Sequence, residues 1–259
     1  MSFLQTVVLG AIAGFTIYLG LPLGRIKGLS EKTRSFLSMI SAGILLFLFI
    51  DIFKQLSAPI ETALSGHSYG EFALLLAILL VGFGGGLIGL IAFEKNFVRS
   101  QAAAAGEVFS SARLALMIAT GIGLHNFSEG LAIGQSSGRG EIALAGILIV
   151  GFGLHNATEG FGIVGPLMGG ERPTWGFLGL MGLVGGGPTF LGTILGYFFT
   201  SDAMSVLFLS LAAGALVYIV GELFHVNRRP GTKLHAGWGL LLGFMLAFLT
   251  DLVLVFAGV

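Results

Sequence analysis

Cysteine is absent from the 259 residues, and charge is scarce. Without thiols there can be no disulfide and no thiolate metal site, so any metal would have to be held by nitrogen and oxygen ligands. Asp, Glu, Lys and Arg make up 10% of the chain, where a soluble domain carries about 25%. Neither sign dominates: thirteen Lys+Arg stand against thirteen Asp+Glu, so the basic surplus that nucleic-acid binding leaves in a sequence is missing. No GxxxxGKS loop occurs, and with it goes any ATP-driven motor. With 55% hydrophobic residues and a mean hydropathy of +0.96, there is too little polar surface to cover a globule in water. Lipid must be the solvent for most of the chain, which excludes a water-soluble cytosolic enzyme.

Glycine is plentiful instead. Its 43 residues are more than twice the usual share of about 7%, which suits helices that approach closely inside a bilayer. About 20 mainly apolar residues cross a bilayer as a helix. Cutting the chain at its charge and proline clusters predicts an all-α polytopic membrane protein, a single domain over residues 1–259 with eight spans at about 3–23, 35–56, 71–93, 113–135, 141–167, 174–199, 205–225 and 234–258. The first span exceeds a signal-peptide core and has no clear cleavage site, so it is expected to be retained. The connections are short, leaving no room for a soluble domain.

Positive charge in short loops stays on the cytoplasmic side, and here it alternates sharply. Arg25, Lys27, Lys32 and Arg34 follow span one, Lys95, Arg99 and Arg113 lie between spans three and four, Arg172 follows span five, and Arg228, Arg229 and Lys233 follow span seven. Only Lys54 and Arg139 fall on the other side. Both termini are therefore expected to be extracytoplasmic, in a plasma or inner cell membrane.

A duplication sits at the centre of the chain. Gly121-Ile-Gly-Leu-His125-Asn126-Phe-Ser-Glu129-Gly130-Leu-Ala-Ile133 recurs thirty residues later as Gly151-Phe-Gly-Leu-His155-Asn156-Ala-Thr-Glu159-Gly160-Phe-Gly-Ile163, identical at eight of thirteen positions. One crossing separates the copies, so they run antiparallel, related by a two-fold axis in the membrane plane. A fainter echo links span two to span seven at an offset of 171, pairing Gly43 with Gly214 and Asp51 with Glu222. Another links span one to span six at 172, pairing Gly14 with Gly186 and Gly20 with Gly192. Spans three and eight show no such echo. The pattern predicts a 3+2+3 inverted-repeat bundle, the usual build of a secondary transporter.

His125 and Glu129 are four residues apart and stack on one helix face, as do His155 and Glu159. Asn126 and Asn156 sit beside them, three residues before the same glutamates. Each motif falls near mid-bilayer, where a carboxylate costs roughly 2.5–3.5 kcal/mol on insertion scales. Two such carboxylates must face each other or water, and a divalent cation neutralises both while the imidazoles supply nitrogen ligands. Two His and two Glu complete one tetrahedron, and the two Asn with bridging glutamates could form a second, harder site. A lone membrane histidine more often joins two helices by a hydrogen bond; duplication at one depth is what favours metal here. Asp51 and Asp251 at the outer end, with Glu222 and His225 at the inner end, could line the path of an ion or could simply reach water at the interface. His67 and His235 read as loop residues, the steps Gly82/Gly86, Gly192/Gly196 and Gly239/Gly243 as packing surfaces, and Trp175 and Trp238 as an aromatic belt.

Eight spans with His125-Asn126-x-x-Glu129-Gly130 in the fourth and a related motif in the fifth resemble the ZIP (Zrt/Irt-like) family of divalent metal transporters. The resemblance implies that His125, Asn126, Glu129, His155, Asn156 and Glu159 hold metal. Where the family's fourth-span motif reads HNxPEG, this chain has Ser128, and Thr158 stands in the second copy. Many members have glutamate before proline in span six; Gly187 precedes Pro188 here, leaving a second metal position a ligand short. The long histidine-rich loop of many relatives is replaced by the run Gln-Ala-Ala-Ala-Ala at 101–105. The expectation is a transporter carrying Zn²⁺ as bound substrate, or Fe²⁺, Mn²⁺ or Cd²⁺, toward the cytoplasm, with no organic cofactor. Its partners would be the ion and the lipid bilayer, and its glycine faces would suit a homodimer. Two other readings stay open: an intramembrane zinc-dependent hydrolase, against which stands the lack of HExxH, and a receptor or scaffold that uses metal only to fold.

Overall fold

The computed structural model describes residues 1–95, 111–199, 201–227 and 231–256. Arg99, Arg228, Arg229, the run 101–105 and the end of span eight past 256 lie outside them. Among the described residues there is no strand. The described residues form eight α-helices: α1 (Phe3–Phe15), α2 (Glu31–Ser65), α3 (Tyr69–Phe93), α4 (Ser111–Gly138), α5 (Ile142–Val164), α6 (Trp175–Phe198), α7 (Asp202–Val226) and α8 (Lys233–Phe256). Four begin where the sequence supplies a cap. Ser2, Ser30, Thr174 and Ser201 each accept a hydrogen bond from the backbone N–H three residues on, satisfying a donor the helix cannot.

Among the described residues, six helical segments are long and apolar enough to cross a membrane. The remaining two helices, α4 and α5, carry the duplicated polar motif. Apolar side chains left exposed on the outer helices, among them Leu4, Leu80, Val81 and Leu249, form the surface that lipid would cover. The interior is centred on α4, whose Leu114, Met117, Ile118 and Ile122 are buried together with its polar side chains.

Two boundaries differ from the sequence reading. Span one is not a single helix: after Phe15 it tightens into 3₁₀ turns at Thr16–Leu19 and Leu21–Arg25. The Thr16 hydroxyl lies 2.7 Å from the Ala13 carbonyl and 2.6 Å from that of Gly153 on α5, so a tertiary contact coincides with the break. Span two runs beyond residue 56 to Ser65 with Pro59 inside it. Ile60 and Ala63 of that extension pack with Leu75 of α3 and Val206 of α7, which holds the overhang helical despite the missing proline N–H.

Glycine contacts reveal the symmetry of the bundle. A Cβ on Gly14 would meet Gly186 and Thr189 of α6, and one on Gly186 would meet Gly14 and Ile17. The contact is reciprocal and antiparallel, as an axis passing between α1 and α6 requires. Gly20 lies against Ala157, Gly160 and Phe161 of α5, and Gly192 against Phe127, Gly130 and Leu131 of α4, the same contact carried over by offsets of 172 and 30. On α2, Gly43 faces Leu240 and Phe244 of α8, while Gly214 on α7 faces Phe83 and Leu87 of α3. Gly239 and Gly243 lie on Phe36 and Ile40; Gly82 and Gly86 lie on Leu207 and Leu211. The third pair of spans is therefore related after all, α3 to α8 at an offset of 157. The echo escapes a search at 171 because the stretch from Gly43 to Gly82 is 14 residues longer than that from Gly214 to Gly239, mostly through the greater length of α2, 35 residues against 25 in α7.

Candidate metal centre

The duplicated motif lies on α4 and α5, each histidine about 20 Å along its helix at 1.5 Å per residue. The two copies face one another. The His125 and His155 rings are 6.1 Å apart in an edge-to-face arrangement. His125 Nε2 is 3.4 Å from Glu129 Oε1, and His155 Nε2 is 3.6 Å from Glu159 Oε1. His125, Glu129 and His155 each offer a ligand atom, all three within 4.8 Å of one another. Glu159 stands beside this group through its histidine rather than within it.

The asparagines are held alike. Asn126 Nδ2 donates to the Gly185 carbonyl on α6 at 3.0 Å, and Asn156 Nδ2 donates to the Ala13 carbonyl on α1 at 3.1 Å; Gly185 and Ala13 are themselves repeat equivalents, 172 residues apart. Asn156 also reaches Glu129 Oε2 at 3.4 Å, tying the two helices together. The departure at Thr158 has a local effect, its hydroxyl donating to the His155 carbonyl at 2.7 Å, the back-bonding that bends helices.

All six motif side chains are buried. Yet His125 Nδ1, His155 Nε2, Asn126 Oδ1, Asn156 Oδ1 and both Glu159 oxygens have no hydrogen-bond partner, and each such atom costs about 1–3 kcal/mol when left unmatched. These are nitrogen and oxygen donors of the kind a divalent cation takes. A further helix-stabilising role would not explain why the unmatched atoms gather between two copies of one motif.

The other candidates divide between the two ends of the bundle. Asp51 and Lys54 lie within electrostatic range of Asp251. Asp51 also accepts from Gln55 at 2.6 Å. Glu222 and His225 stand on the last turns of α7. Sequence reasoning passed over Glu94. It is buried at the end of α3 and accepts a hydrogen bond from the Tyr218 hydroxyl of α7, and the offset of 157 makes it the counterpart of Asp251. Asp51 and Glu222, Lys54 and His225, and Asp251 and Glu94 thus form three matched pairs; the α3–α8 register was the signal that would have found the last.

No match to a curated protein was found. The sequence model of the ZIP zinc transporter family matches residues 97–251, well over half of the chain, including both motif copies and α6 and α7. The chain belongs to the ZIP zinc transporter family, and with its apolar helices it is a multi-pass membrane protein of a family that transports divalent metal ions.

Proposed function

We propose that this protein carries Zn²⁺ toward the cytoplasm through a site between α4 and α5. His125, Glu129, His155 and Glu159 would hold the ion, with Asn126 and Asn156 as further oxygen donors or as anchors of the glutamates. The observation that carries the reading is the gathering of buried, unpartnered nitrogen and oxygen atoms from two copies of one motif. Ions would come in past Asp51 and Asp251 and leave past Glu222, His225 and Glu94. The distribution of Lys and Arg supports the direction, since it puts Asp51 and Asp251 outside. The inverted repeat supports alternating access: one repeat shifting against the other opens the same midplane site to either side in turn. All eight helices would cross the membrane, α4 and α5 being kept there by their buried polar faces.

The test is Zn²⁺ flux into liposomes loaded with a metal-sensitive dye, comparing the unaltered chain with Glu129→Ala/His155→Ala, then repeating with Fe²⁺, Mn²⁺ and Cd²⁺. Saturable flux that the double variant loses is the expected result. Undiminished flux in the double variant would sink the proposed route.

A further inference from the structure

A cavity of about 540 Å³ lies at the end of the bundle where α4 and α6 begin, among the first turns of those helices and α2 and the α5–α6 connection. Arg34, Arg172, Ser111 and Thr174 are among its polar lining residues, and Leu167 and Phe177 among its apolar ones. Among the described residues, neither Arg34 nor Arg172 takes part in an ion pair. Glu171 shares the rim, leaving a balance of one positive charge. The Arg34 stem packs on Gly169, which has φ of 76°: a Cβ there would meet Cγ and Cδ of the arginine.

The cavity also stands beside a marker of membrane depth. Trp175, which opens α6, is exposed, and Arg25 lies over its ring at 4.4 Å while donating to the Pro173 carbonyl. An exposed tryptophan with a stacked arginine is the arrangement of a headgroup boundary. At that depth a cavity lined by two arginines and by apolar side chains matches an amphiphile whose head is anionic. Guanidinium is suited to phosphate by its planar fork of donors, and basic pockets between helix ends are where acidic headgroups settle.

We infer that this cavity binds the phosphate headgroup of an anionic phospholipid, with Arg34 and Arg172 as its two cationic contacts and the glycerol end of the lipid against Leu167 and Phe177. None of its lining residues is among those proposed for the metal path, and its test does not depend on transport.

Native mass spectrometry of the full chain in detergent would be run with phosphatidylglycerol, with phosphatidylcholine and with inorganic phosphate. One phosphatidylglycerol per chain should bind in preference to phosphatidylcholine, weakened at least tenfold in Arg34→Gln/Arg172→Gln and largely retained in Arg34→Lys/Arg172→Lys. Equal binding of the two lipids by the unaltered chain overturns the inference, and that comparison needs no variant to fold. Undiminished phosphatidylglycerol binding by the Gln variant overturns it too. Displacement of the lipid by millimolar inorganic phosphate would assign the cavity to the free ion and overturn the lipid assignment.

Discussion

His125 and His155 show how much a single side chain's surroundings decide. An imidazole at mid-bilayer could serve as a hydrogen-bond bridge, but here one nitrogen on each ring has no partner while a glutamate stands one turn away. Replacing any residue of the close trio should therefore be felt as lost affinity. Glu129→Gln and His155→Ala are each expected to weaken Zn²⁺ binding by about 100-fold in calorimetry. That is the upper end of the roughly 10–100-fold range for residues that only orient a ligand. The asparagines permit a sharper prediction. Asn126→Ala removes one interhelical hydrogen bond, to Gly185, and should lower unfolding stability by about 1 kcal/mol, while Asn156→Ala removes its bonds to Ala13 and Glu129 and should cost more. Only Asn156→Ala removes a donor that the structure places on Glu129, so it should cost more metal affinity than Asn126→Ala. Equal affinity losses would count against a role for that contact.

Helices in this bundle meet through glycine, and the contacts fall in matched pairs. A methyl at Gly86 would run into the Leu211 backbone, at Gly243 into Ile40, at Gly43 into Leu240, and at Gly214 into Phe83. Backbone cannot move aside as a flexible side chain can, so Gly→Ala at any of these four should destabilise by about 1–3 kcal/mol, the range for overpacking. Gly89, on the same helix as Gly86, has open space where a methyl would go, with nothing within 4 Å; Gly89→Ala should be neutral or stabilising by up to about 1 kcal/mol, because it relieves only the helix cost of glycine. Thermal unfolding in detergent would separate the two groups, and a loss at Gly89 equal to that at Gly86 would contradict the packing account.

At the scale of the whole molecule, the matched glycine contacts pair α1, α2 and α3 with α6, α7 and α8, and α4 with α5. The orientation that the positive charges favour can be checked directly, because a chain without cysteine accepts single cysteines as clean reporters. In intact cells a membrane-impermeant maleimide should label His67→Cys and Arg139→Cys, and should label Lys27→Cys and Lys233→Cys only after the membrane is opened. All four native residues are exposed, so access to reagent, not burial, sets the result; the reverse pattern would turn the proposed direction of transport around.

The motif was legible in the sequence because its geometry is local. His and Glu four apart share a helix face whatever surrounds them, and the thirty-residue duplication needs no structure to be seen. Membrane class followed from composition, since no packing arrangement can hide that much apolar surface from water. What the tertiary structure decided were matters of long-range contact. Thr16 meets the Gly153 carbonyl 137 residues away where α1 ends, a partner invisible from the sequence around it. The kinship of α3 and α8 rests on glycines facing equivalent backbone, and the unequal lengths of α2 and α7 hide it from any search at one fixed offset. Glu94 became the counterpart of Asp251 only through that register. Local spacing can place a side chain on a helix face, but which face meets which is settled only when the helices pack.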